Sequence, residues 1–157
     1  VVYRLMKSPT FKLGYGDLRA RVEAEGAPTL SAVRKAVTAI RDSKLPDPKK
    51  LGNAGSFFTN PVIPSEQYEA LKTQYPDMPS YPIDDTRVKV PAGWLIEHVG
   101  WKGRALGRAA VHDRQALVLV NKGGATGKEV MQLAHRISED IYTQYGIRVV
   151  PEVNYIQ

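Results

Sequence analysis

The chain has no cysteine at all. That removes disulfides, thiolate catalysis and cysteine-ligated zinc together, and it fits a reducing compartment. There is no apolar run long enough to span a bilayer and no secretory hydrophobic region, so a soluble, cytoplasmic protein with no membrane partner is expected. Acidic residues are in the minority, 16 against 22 Lys and Arg, leaving a net charge of +6 that points to an anionic partner. Yet no basic block extends beyond Lys49-Lys50 and no aromatic RNA-binding signature is present, so most of this charge reads as a solvated surface. An initiating methionine is also missing. Val1–Met6 alternates like a strand inside a sheet, so an excised piece of a longer protein is expected.

What is present is globular. With 43% apolar and 24% charged residues among 157, the chain reads as one ordinary domain with a real core. Leu30, Val33, Val37 and Ile40 recur at helical spacing, with Thr29 as N-cap and Pro46 beyond the far end. Ser65 is placed to cap a second helix carrying Tyr68, Leu71 and Tyr75, and Pro76 ends it. Lys89–His98 reads as a short helix with Pro91 in its first turn, and Trp101–Gly103 as a turn leading away from the core. Ala109–His112 and Ala116–Asn121 read as a strand pair whose turn is ordered by His112.

Lys122-Gly-Gly-Ala-Thr-Gly-Lys-Glu129 imitates a phosphate loop, but Lys122 stands where that pattern needs glycine and Glu129 where it needs serine or threonine. Thr126 and Glu129 instead spell a capping box for the longest helix, whose apolar stripe is Val130, Leu133, Ala134, Ile137 and Ile141, with Gly146 as its stop. His135 has no partner at metal-ligand spacing, and no metal is expected. Ile147–Val150 and Glu152–Ile156 read as a strand interrupted by Pro151.

The stretch Leu45–Ile63 is the exception to these bland readings. Pro46 and Pro48 stiffen its start, Gly52 and Gly55 supply backbone freedom, and Ser56 follows at once. A connecting loop seldom needs two glycines, a serine and two phenylalanines together, so this one is expected to hold a polar group against a ligand. From the residues alone, a serine after glycine is most often a turn residue bonded to its own backbone. It is not a nucleophile elbow, because Ala54 and Phe58 occupy both glycine positions of that motif.

Gly52-Asn-Ala-Gly-Ser-Phe-Phe-Thr-Asn-Pro61 resembles the signature of the UDP-N-acetylenolpyruvoylglucosamine reductase family, flavoenzymes of bacterial cell-wall precursor synthesis. Further runs resemble the same family: Ala92-Gly-Trp-Leu-Ile96 with Lys102-Gly103, Ala110-Val-His-x-x-Gln-Ala-Leu-Val-Leu119, and Pro151-Glu-Val153. The resemblance covers nearly the whole chain and only the second half of the enzyme. It implies an α+β fold of mostly antiparallel strands packed by three or four helices. Residues 1–18 would end the flavin region and link onward, 19–146 would form the substrate-binding domain, and 147–157 would be a C-terminal strand.

The resemblance also implies the chemistry. FAD, held mostly by an upstream region, and NADPH as reductant would serve reduction of UDP-N-acetylglucosamine enolpyruvate. Ser56 would donate a proton, and Glu152, kept neutral by burial, would donate a hydrogen bond to the developing enolate. Lys44, Asn60, Tyr81, Lys102 and Gln115 would hold the substrate. The rival reading is a basic module binding nucleic acid without catalysis, recognisable by general polyanion binding that falls steeply with salt.

Overall fold

A computed structural model describes residues 1–156. The chain forms two compact units rather than the single domain expected, dividing between Lys44 and Leu45.

The first unit contains α1 (Leu18–Glu23) and α2 (Leu30–Lys44). Val1–Met6 is exposed and is not a strand. Alternation is only half of a strand's requirement. The other half is a hydrogen-bonded neighbour, and no described residue provides one. Thr29 caps α2 as expected, its Oγ1 accepting from the Ala32 N–H at 3.0 Å. The buried face is only partly the one read from the sequence: Ile40 is buried and Val33 packs beside it, but Leu30 and Val37 do not join them. Ala32, Ala36 and Ile40 pack with Leu13, Leu18 and Val22, while Leu30 and Val37 face solvent. Small side chains let the α2 backbone approach α1, and that close approach outweighs the larger apolar residues.

The second unit holds two antiparallel sheets and three helices, the α+β class expected. One sheet has the order β1-β7-β6-β5, from β1 (Gly52–Ser56), β5 (Ala105–Leu106), β6 (Ala109–Val111) and β7 (Val118–Asn121). The other is β2-β4-β3, from β2 (Val62–Pro64), β3 (Tyr81–Pro82) and β4 (Arg87–Lys89). Around them lie α3 (Ser65–Gln74), α4 (Ala92–His98) and α5 (Gly127–Tyr145).

The helix α5 follows its sequence signals closely. Thr126 Oγ1 accepts from the Glu129 N–H at 3.2 Å while Glu129 Oε2 accepts from the Thr126 N–H at 2.8 Å. Leu133, Ala134, Ile137 and Ile141 are buried, and Gly146 ends the helix at φ 65°. At its last turn, burial and the neighbouring Tyr75 push the Tyr145 phenol up to about 12.

Several local expectations change. Ser65 is the first residue of α3 and makes no capping bond. Trp101 is buried, donating from Nε1 to Asp140 on α5 at 2.8 Å, so it anchors the core instead of leaving it. His135 does have a carboxylate one turn away: Nε2 lies 3.3 Å from Glu139. Residues 147–156 form no named strand, because Pro151 lacks an N–H and sustains only a single bridge, to Phe58.

Candidate functional site

Gly52–Ser56, read from the sequence as a loop, is a strand with a bulge. Asn53 opposes Val120 and Ser56 opposes Val118, so two residues of β1 face one of β7. Asn53 braces the extra residue. Its Oδ1 accepts from the Gly55 N–H at 3.0 Å, and its Nδ2 donates to the Leu51 carbonyl at 2.9 Å. Gly55 sits at φ 74°, the left-handed region, with open space where a Cβ would be. Its glycine answers a backbone demand rather than a close neighbour. Gly52 has no positive φ, and a Cβ there would meet Asn121 Cβ at an ordinary 3.6 Å, so neither backbone nor neighbour demands glycine.

From the bulge the chain passes to a second partner. The Phe57 N–H donates to the Leu117 carbonyl at 2.7 Å. The Thr59 N–H then donates to the Val150 carbonyl at 2.9 Å, and the Glu152 N–H to the Phe57 carbonyl at 2.8 Å. Phe57 and Phe58 are buried beneath this junction with their rings edge to face, 5.2 Å apart. The buried phenylalanines fix the backbone, and Ser56 and Glu152 are left exposed on joined segments. Glu152 is therefore not shielded by this chain, contrary to expectation, because the segment that carries it lies at the surface of the unit.

Three other expected residues have defined surroundings. Asn60 Oδ1 accepts from the Ala92 N–H at the start of α4, at 2.9 Å. Gln115 Oε1 accepts from the Leu117 N–H at 3.4 Å, in the turn between β6 and β7. Lys102 follows α4 and reaches Glu97 at 2.7 Å, so a carboxylate already offsets part of its charge. Tyr81 stands exposed on β3. Lys44 is the last residue of α2 in the first unit.

The chain matches the family described as UDP-N-acetylenolpyruvoylglucosamine reductase, C-terminal domain, over residues 47–156. It belongs to that family. Proteins named UDP-N-acetylenolpyruvoylglucosamine reductase resemble it over nearly its full length. One from Bacteroides fragilis is 53% identical over 156 residues, covering 99% of this chain and 47% of the relative. Those from Burkholderia multivorans and Burkholderia vietnamiensis are 57% and 54% identical over 156 residues, each covering 97% of this chain and 45% of the relative. The chain spans about half the length of the curated relatives it matches.

For a reductase C-terminal domain, the imitation phosphate loop is best explained by its own bonds. Asn121 Oδ1 accepts from the N–H groups of Gly123 and Ala125 at 2.8 and 2.9 Å, so those donors are already taken. His112 is buried and its Nδ1 accepts from the Arg114 N–H at 3.3 Å, which leaves the ring proton on Nε2, 3.5 Å from Asp113. It orders the turn, as expected. A cavity of about 370 Å³ adjoins this turn, lined by Gly103, His112, Arg114 and Lys122 among others.

The residues that sequence reasoning missed are Asn53 and Ala92. Asn53 carries a usable signal, since asparagine two residues before glycine is a common brace for a tight backbone. Ala92 carries none, because its contribution is a backbone N–H.

Proposed function

We propose that this chain is the substrate-binding half of a reductase that converts UDP-N-acetylglucosamine enolpyruvate to UDP-N-acetylmuramate during peptidoglycan precursor synthesis in the cytoplasm. The observation that carries the reading is the junction of residues 57–59 with 150–152, which joins the Ser56 and Glu152 segments in a chain of this family. FAD, reduced by NADPH, would supply the hydride for the enolpyruvyl double bond. Ser56 and Glu152, exposed on segments bonded to each other, are the residues of this chain that would lie toward that flavin.

This chain's own residues hold the substrate and move a proton. Reduction leaves negative charge on the enolpyruvyl group, and the carbon beside it must then be protonated. Ser56 Oγ, at the end of a braced strand, is the donor within the chain. Glu152, carried on the segment bonded to Phe57 beside Ser56, is the second group that would face the reacting carbons. Lys102 attracts the diphosphate, and a charge-assisted bond of this kind contributes about 1.5–3 kcal/mol. Asn60, Gln115 and Tyr81 complete the substrate contacts.

The test is Ser56→Ala in the full-length protein. Formation of the saturated UDP-sugar should fall by roughly 10²–10⁴-fold while substrate still binds. A rate within a few-fold of wild type would remove Ser56 from the mechanism. Binding of short DNA as tight as binding of the UDP-sugar, lost steeply in salt, would instead support a polyanion-binding module.

A further inference from the structure

The bulge in β1 decides which face of the sheet Ser56 occupies. Residues paired across antiparallel strands carry their side chains on the same face, and neighbours along a strand alternate. On β7, Val118 and Val120 pack with Ala110, Leu45 and Leu51 on one face, while Leu119 belongs to the main core on the other. Asn53 opposes Val120. In unbroken register Gly55 would then oppose Val118, and Ser56 would fall opposite Leu117, on the Leu119 face. The extra residue shifts the strand by one, so Ser56 itself opposes Val118 and is exposed. The same shift carries Phe57 to the other side. Its N–H donates to the Leu117 carbonyl at 2.7 Å, and its ring is buried in the main core. A strand without the bulge would exchange the two, turning the hydroxyl toward the core and the phenylalanine away from it.

One side chain holds this shift. Asn53 Oδ1 accepts from the Gly55 N–H at 3.0 Å, while Nδ2 donates to the carbonyls of Leu51 at 2.9 Å and Pro46 at 3.4 Å. The bulged backbone is tied both within the strand and to the segment that leads into it. We infer that Asn53 is a positioning residue for the proton transfer, acting through Ser56 by fixing the register in which the hydroxyl faces outward. This rests on the reading of Ser56 as proton donor, and adds to it the residue that sets where the donor stands.

In the full-length protein, Asn53→Ala should lower kcat by about 10²-fold with KM little changed, because a displaced hydroxyl impairs the transfer and not substrate binding. A positioning role has a signature that general weakening of the fold lacks. Once Ser56 is replaced by alanine there is no hydroxyl to misplace. Asn53→Ala combined with Ser56→Ala should therefore turn over within about twofold of Ser56→Ala alone. Asn53→Asp keeps an oxygen for the Gly55 N–H, and runs the same cycle with a smaller loss if the alanine variant folds poorly. A wild-type kcat in Asn53→Ala, or the same fold-loss in both backgrounds, would overturn the inference. Ser56→Ala at the wild-type rate would overturn the proton-donor reading on which it rests. Hydrogen exchange of the Gly55 amide, slow in wild type and fast in Asn53→Ala, would still uphold the brace in that case, and equal exchange would overturn it.

Discussion

The helix α5 and the Gly52–Asn60 edge are built by opposite means. Everything that starts, packs and stops α5 lies within its own stretch: the Thr126–Glu129 box, the stripe from Leu133 to Ile141, and left-handed Gly146. The edge takes its shape from residues distant in sequence. Its bulge is measured against Val118 and Val120, and its continuation is held by Leu117, Val150 and Glu152. Local rules suffice for a scaffold helix. A site that brings separate segments to one place is specified by tertiary partners, and its local sequence looks irregular as a result.

The largest effect expected of this contrast is in stability. Ile137 is fully buried in the main core, so Ile137→Ala should cost about 2–5 kcal/mol. Ser56→Ala, at an exposed position, should stay within about 0.5 kcal/mol of wild type while abolishing most turnover. Chemical denaturation of both variants checks this. A large loss at Ser56 would mean that the edge is scaffold as well as site.

Next in size is the bulge. Alanine at Gly55 meets no atom within 4 Å, so its whole cost is backbone strain at positive φ, roughly 1–2 kcal/mol. Gly52→Ala should cost clearly less, since its added Cβ would meet Asn121 Cβ at an ordinary 3.6 Å. Equal losses at the two positions, measured by the same denaturation, would dissolve the distinction between a glycine the backbone demands and one it does not.

The same contrast explains what could be read in advance. The capping box, stripe and stop of α5 were legible because each signal and its target are within one or two turns. The α2 helix was legible as a helix but only partly in its orientation: Val33 and Ile40 turn inward as expected, while Ala32 and Ala36 are buried for their small size, which a hydrophobic pattern undervalues. The sheet β2-β4-β3 escaped notice because its strands are two or three residues long and two of them contain proline, at Pro64 and Pro82. Glu152 was singled out through the family resemblance alone, and Ser56 through that resemblance and the unusual composition of its stretch. Nothing in the side-chain pattern announces that Thr59 will bond to Val150, 91 residues away. The expected C-terminal strand failed for the converse reason: its alternation was real, but Pro151 limited the pairing to one bridge.

The smallest effects test how far α5 is self-contained. Thr126→Ala removes the acceptor for the Glu129 N–H and should cost about 0.5–2 kcal/mol. The reciprocal half of the box is ionic and therefore depends on pH. Bonds from the Thr126 backbone N–H, then from its hydroxyl, hold the Glu129 carboxyl below its ordinary value of 4.5. A carboxyl lowered in the folded state binds its proton more readily when unfolded, so its contribution is complete above about pH 4.5 and fades as pH falls through the lowered folded value. Glu129→Gln keeps an amide oxygen to accept one bond but carries no charge to titrate. The stability gap between wild type and Glu129→Gln, followed by denaturation from pH 6 downward, should narrow in acid. A gap that stays constant to the lowest accessible pH would show that the carboxylate's charge contributes nothing at this helix start, and that the box works through neutral hydrogen bonding alone.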